Sequence, residues 1–86
     1  MIHNAYSVRD TCAETFLMPM FFLNNASAVR ALGDAVNRPK EDNNFYQHPE
    51  HYQLYHIGTF DDENGSFTPV VPVFVVDCQS LVTQQV

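Results

Sequence analysis

The sequence has no tryptophan, three glycines, two cysteines and only four basic side chains among 86 residues. Each shortage excludes something. Gly33, Gly58 and Gly65 are scattered, so there is no glycine-rich loop to cradle a phosphate. Cys12 and Cys78 lie near opposite ends with no C-x-x-C spacing. Free thiols are the expectation, and a bridge between the two ends is the alternative. The longest apolar run, Phe16 to Leu23, is eight residues with Pro19 inside it. That is far short of the ~20 residues needed to span a bilayer, and no secretory segment is recognisable, so no membrane association is expected. Arg9, Arg30, Arg38 and Lys40 face ten acids, for a net charge of -6. Charge-driven binding to nucleic acid needs cations at phosphates, so a generic basic groove is excluded. A small site of stacked rings beside one or two cations is compatible with this balance.

The hydrophobic share is 45%, a globular composition rather than a disordered one. One domain over 1–86 is expected, with residues 83–86 frayed. A chain this short buries only about 60–65% of its unfolded surface, leaving a thin core. Seven Phe and four Tyr are therefore expected to supply much of the buried area. No repeat, linker or low-complexity tract is present.

Ile2 to Val8 reads as a strand ending at Arg9-Asp10. Phe16 to Leu23 is apolar on both alternating faces, which predicts an extended segment covered on both sides, with Pro19 marking an edge or bulge. Asn24-Asn25 supplies an N-cap to a helix over residues 26–37, with Val29, Leu32 and Val36 as its apolar stripe and Pro39 beyond its end. Lys40 to Glu50 reads as a loop carrying Phe45 and Tyr46. His51 to Phe60 and Ser66 to Val71 are strand-like around Asn64-Gly65, a strong hairpin signal. Strict alternation would place Tyr52, Leu54 and Phe60 on one face, and Tyr55 and Ile57 on the other. Val73 to Val76 reads as a last buried strand, and Asp77 to Val82 as a helical turn. The expected fold is α+β: a small, mostly antiparallel sheet with one principal helix on one face. One helix covers one face. The second face must be solvated, used for binding or paired with another subunit, and a homodimer through sheet or aromatic contacts is expected.

Other constellations read plainly. His48, His51 and His56, with Glu50 between them, lack a zinc-binding frame, and Pro49 prevents a regular helix through His48 and His51, so no metal is expected; His48-Pro49-Glu50 reads as a turn before the next strand. Asp61, Asp62 and Glu63 lack a twelve-residue calcium loop and read as a solvated hairpin tip. No serine or cysteine sits in a nucleophile signature, so neither catalysis nor a cofactor is expected. Arg9 with Glu14 and Arg30 with Asp34 are the expected ion pairs. The functional alternative offers those guanidiniums to phosphates or bases. Arg38 and Lys40 beside Phe45 and Tyr46 form the stretch where cations and rings interleave in sequence, and it is the patch expected to meet single-stranded DNA; the alternative is that Phe45 and Tyr46 pack over the sheet edge.

Three blocks carry a family likeness: Tyr6-Ser7-Val8-Arg9-Asp10-Thr11 with Ala13-Glu14 and Pro19-Met20-Phe21-Phe22; Ala28-Val29-Arg30-Ala31 with Asp34-Ala35-Val36-Asn37; and His48-Pro49-Glu50 with Tyr52, Leu54-Tyr55, Ile57-Gly58 and Phe60-Asp61. In order and spacing, over roughly residues 6–67, the chain resembles the small non-structural protein of the gokushovirus group of microviruses. The resemblance implies a phage protein of the host bacterial cytoplasm, absent from the capsid and associated with DNA binding and replication.

Two function classes follow. In the first, a dimeric accessory protein engages single-stranded DNA or a replication complex. Phe45, Tyr46, Tyr52 or Tyr55 stack on bases, and Arg9, Arg30, Arg38 and Lys40 position the backbone. In the second, an acidic adaptor or DNA mimic binds a phage or host protein and touches no nucleic acid.

Overall fold

In the computed structural model, which describes residues 1–83, the chain is an α+β fold: a curled antiparallel sheet with one main helix. The strands are β1 (Ile2–Asp10), β2 (Thr15–Phe16), β3 (Met20–Phe22), β4 (Tyr52–Asp61) and β5 (Ser66–Asp77); the helices are α1 (Asn25–Val36) and the single turn α2 (Asn44–Gln47). Two 3-10 turns, Pro49–His51 and Cys78–Leu81, complete it. The sheet runs β2-β1-β4-β5, and β3 shares the outer side of β1 with β2.

Local chemistry explains each junction. Asp10 Oδ1 accepts the Cys12 and Ala13 amides, reversing the chain after β1, and Glu14 takes φ 59° to complete that turn. Asn24 caps α1 by accepting the Ser27 amide at 2.9 Å, a bond worth about 1 kcal/mol. The β4–β5 turn uses Gly65 at φ 72°, its amide donating to the Asp61 carbonyl at 2.8 Å. That left-handed backbone is the reason for glycine here.

The core lies between α1 and one face of the sheet. Ala28, Leu32 and Val36, four apart on the helix, pack with Tyr6 and Val8 of β1, Tyr52 and Leu54 of β4, and Cys78. Fully buried Ala28 leads the stripe where Val29 was expected, and Val29 packs at its margin. The Tyr6 hydroxyl donates to Asn25 Oδ1 at 2.6 Å, satisfying the buried ring's polar end. Two asparagines clip the loop segments to the helix. Asn37 Nδ2 donates to the Gly33 and Leu81 carbonyls, while Asn43 Nδ2 donates to those of Ala35 and Arg38. Thr83, expected to fray, donates its amide to Asn37 Oδ1 at 2.8 Å; residues 84–86 lie outside the described residues.

Four expectations need correction. Phe16 to Leu23 is not covered on both sides: it forms two short edge strands, held where they part by the Leu17 amide on the Val8 carbonyl, and seven of its eight residues are exposed. Pro19 interrupts the run because it has no amide to donate. Ser66 to Asp77 is one continuous edge strand, and Val73 and Phe74 in it are exposed rather than buried. Residues 40–50 contain α2, started by Asn43 capping the Phe45 amide. Phe60, expected beside Leu54, faces the other way. Tyr6 pairs with His56 but Ala5 pairs with Gly58, so Ile57 is an extra residue in β4. One inserted residue reverses the alternation beyond it.

Candidate functional site

Side chains alternate across a strand, so the neighbours of the core residues point away from α1. Arg9 is one such residue in β1, and Tyr55 in β4 is another. Register then carries this face outward: Phe16 pairs with Arg9, and Phe74 pairs with Tyr55. The rings of Phe16 and Tyr55 meet edge-to-face at 5.5 Å, and those of Tyr55 and Phe74 at 5.9 Å. The Arg9 guanidinium lies over the Phe16 ring, 5.6 Å from its centroid. The result is an aromatic row that crosses the sheet from edge to edge, with a cation at one end. Phe74 is 50% exposed, and Phe16 and Tyr55 are partly exposed. The Tyr55 hydroxyl donates to Gln53 Oε1 at 3.3 Å, and Gln53 donates to Asp77 Oδ1 at 3.1 Å, which fixes the middle ring.

Beyond the bulge the same face continues as a second cluster. Phe60 touches Phe21 edge-to-face at 6.0 Å and lies 6.5 Å from His3. Phe67 lies across Gly58, where a Cβ would come within 2.7 Å of the ring and 2.6 Å of the Thr68 carbonyl. Small Ala5, Ser7 and Gly58 are buried beneath these rings. Among the described residues, no helix lies on this face.

The residues singled out from sequence fall in four places. Arg9 and Tyr55 belong to the row. Arg30 stands exposed on the outer side of α1. Arg38 and Lys40 are exposed in the loop after α1, next to a cleft of about 500 Å³ lined by Val36, Asn37, Pro39, Tyr46 and Pro49 among others. Tyr46 presents its ring there, half-exposed. Tyr52 was expected to offer a stacking surface, but it is a core residue only 7% exposed, and Phe45 packs edge-on against it at 4.8 Å. Burial pushes the Tyr52 and Tyr6 hydroxyls above their ordinary pKa. Sequence reasoning missed Phe16 and Phe74. Nothing in the sequence joins them to Tyr55, because their common face is set by cross-strand register; Phe16 had been assigned to a covered segment and Phe74 to a buried strand.

The expected ion pairs of Arg9 with Glu14 and Arg30 with Asp34 do not form. Among the described residues, no arginine or lysine lies within 4.0 Å of a carboxylate. The close pairs belong to the N-terminal ammonium and to histidines. Met1 N reaches Asp62 at 2.7 Å and Glu63 at 3.2 Å, and His3 Nε2 reaches Asp62 at 2.8 Å. These bonds hold the Asp62 carboxyl below its usual range and lift the ammonium above its own.

His48 and His51 stack at 5.3 Å because residues three apart eclipse in a 3-10 turn, and Glu50 approaches both. The donor atoms of this trio all lie within 4.8 Å of one another, on a largely exposed turn. Both cysteines are free: Cys12 is exposed, while burial pushes the Cys78 thiol up to about 12, so it stays protonated and inert. The Ser7 hydroxyl donates to the Leu17 carbonyl at 2.6 Å and serves the fold.

Compared with known proteins, residues 3–81 match a family described as Phage ORF5 protein, and the chain belongs to that family. No curated protein and no solved structure matches.

Proposed function

We propose that this phage protein is a non-structural accessory protein that binds single-stranded DNA, alone or within a replication complex, during genome replication in the host cytoplasm. The blocks that resemble the gokushovirus non-structural protein narrow the reading to that group. The supporting observation is the row Arg9–Phe16–Tyr55–Phe74: partly exposed rings on a rigid sheet, beside a guanidinium with no carboxylate partner. Rings on a sheet accept bases of any sequence, because every base has a π-face, and each stacked base contributes ~1–3 kcal/mol. Arg9 then positions a phosphate or stacks on a base itself. The action is binding, without bond-making chemistry.

The charge balance shapes the expected behaviour. Arg30, Arg38 and Lys40 lie on other surfaces, so one strand on the row meets one cation. Affinity then falls with salt at a log–log slope of about −1, far shallower than a basic groove would give. Titrating labelled single-stranded oligonucleotide at low salt should give a Kd below roughly 100 μM, about −5.5 kcal/mol. Tyr55→Ala and Phe74→Ala should each weaken it about tenfold or more. Arg38→Ala with Lys40→Ala should leave it unchanged; loss of binding in that variant would move the site to the Tyr46 cleft. Absence of binding by the wild-type protein would remove the reading.

A second reading follows from the net charge of -6 and from a β5 strand that carries no charged residue between Ser66 and Val76. Here the chain is an acidic adaptor or DNA mimic that docks on a phage or host protein. It predicts no oligonucleotide binding at any ionic strength.

A further inference from the structure

The four histidines divide into two kinds. Two are engaged by the sheet: His3 Nε2 meets Asp62 at 2.8 Å, and His56 Nε2 meets Asn4 Oδ1 at 3.1 Å. The other two, His48 and His51, stand on the turn before β4 and share one neighbour, the Glu50 carboxylate. Among the described residues, neither of these rings makes a hydrogen bond to another side chain.

The three groups converge without closing on one another. Glu50 Oε2 lies 3.6 Å from His51 Nε2 and 4.0 Å from His48 Nδ1. Both gaps exceed the ~3.2 Å reach of a good hydrogen bond. They lie nearer the ~3.4 Å that separates two ligands held at ~2.1 Å by one tetrahedral zinc. One donor atom from each residue falls within 4.8 Å of the other two, so the widest gap needs to close by ~1.4 Å at most. Exposed imidazoles reach that by turning about their side-chain torsions.

The backbone beneath them is already fixed. Pro49 opens the turn, and its ring sets φ. The His48 amide donates to the Asn44 carbonyl at 2.8 Å, and the His51 amide to the His48 carbonyl at 3.0 Å. The His51 carbonyl accepts both the amide and the hydroxyl of Thr11, at 2.8 and 2.9 Å. Tyr52, the next residue, is in the core. Only side chains have to move, which lowers the cost of binding. The spacing His48-Pro49-Glu50-His51 matches no regular-helix or paired-cysteine zinc frame. The 3-10 turn supplies the missing geometry, because its three-residue period sets both rings on one side.

We propose that His48, Glu50 and His51 bind a divalent transition-metal ion of the zinc class. Two imidazoles and a carboxylate suit zinc, nickel or copper, whereas magnesium and calcium take oxygen ligands. Three protein ligands leave a fourth tetrahedral position for water. The net charge of -6 draws cations toward the surface. A bound ion clasps the turn between α2 and β4. The site is separate from the aromatic row and does not depend on the nucleic-acid reading.

Calorimetric titration of the untagged chain with zinc tests this. Zinc should bind with a Kd below roughly 100 μM, and millimolar magnesium should not displace it. His48→Ala and His51→Ala should each weaken binding about tenfold or more, and Glu50→Gln, which keeps the shape and removes the charge, about tenfold. His3→Ala, in the other histidine–carboxylate cluster, and Cys12→Ser, at the exposed thiol, should bind as the wild type does. A second measurement needs no variant: zinc should move the imidazole NMR signals of His48 and His51 and leave those of His3 and His56 in place. A wild-type Kd weaker than roughly 100 μM overturns the proposal. So does binding that survives both folded histidine variants, binding lost with His3→Ala or Cys12→Ser, or zinc-induced shifts at His3 instead of at the turn.

Discussion

Ala5 and Tyr6 are neighbours in β1 and both are wholly buried, but they are buried by different means. Tyr6 points into the layer beneath α1, among Val8, Leu32, Leu54 and Cys78. Ala5 points to the opposite face, where the cover is a sheet of aromatic side chains from other strands and no second layer. The first face is sealed by helix packing. The second is sealed only at its small residues, and its rings stay half-open to water. A chain that needed only to fold would gain by covering those rings, since exposed apolar clusters invite association. Their exposure is the feature any functional account has to explain.

The sharpest way to break this contrast is to cut one large apolar side chain from each face. Leu54→Ala leaves a cavity under α1 and should cost about 2–5 kcal/mol of stability in denaturant unfolding. Phe74→Ala on the open face should cost about 1 kcal/mol or less, and its main effect should be on oligonucleotide binding. Equal stability losses would mean that the open face is a second core. Next in size is Gly58→Ala. Its added methyl would meet the Phe67 ring and the Thr68 carbonyl, one of them backbone, so a loss of about 1–3 kcal/mol is expected. A neutral result would show that Phe67 lies loosely over Gly58. The smallest effect concerns pH. The carboxyl of Asp62 is lowered from 3.8 in the folded chain, so its contribution is present above about pH 4 and is lost as pH falls through the folded value. The ammonium of Met1 is raised from 8.0, so its contribution is full below about pH 8 and is lost as pH rises through the folded value. Hydrogen-exchange protection at Ile2 to Asn4, taken relative to the intrinsic rate at each pH, should be greatest between those limits, with little change at Leu54. Both groups are exposed, so the effect on global stability should be slight.

Much of the fold was legible because its signals are local. Asn24 before an apolar stripe gave α1 nearly to the residue, and Asn64-Gly65 gave the hairpin, since a cap and a left-handed turn depend on a few adjacent side chains. The helix-facing set was legible in part: Leu32 and Val36 followed from periodicity, and Tyr52 and Leu54 were placed on one common face of β4, but Tyr52 was read as a stacking ring rather than a core residue. The other face was not. One extra residue at Ile57 reversed Phe60, and nothing in a run of alternating residues announces such an insertion. Phe16 to Leu23 and Val73 to Val76 read as buried because apolar composition cannot tell a covered strand from a bare edge. Arg9 and Arg30 were assigned acidic partners on sequence distance. Arg9 instead lies over the Phe16 ring, and Arg30 finds no carboxylate within reach.

The sequence by itself determined that this chain is a small α+β domain with one helix, one long hairpin, too few cations for a basic groove and more aromatic surface than a single helix can cover. Only the tertiary structure decided where those aromatics went. Cross-strand register and a one-residue bulge, both products of long-range pairing, gathered Phe16, Tyr55 and Phe74 beside Arg9, set Phe21, Phe60 and Phe67 apart from them, and withdrew Tyr52 into the core. Local sequence fixes which way a side chain alternates. Which neighbours it meets depends on hydrogen bonds to residues up to about sixty positions away, as between Ile2 and Asp61, and those exist only once the sheet has closed.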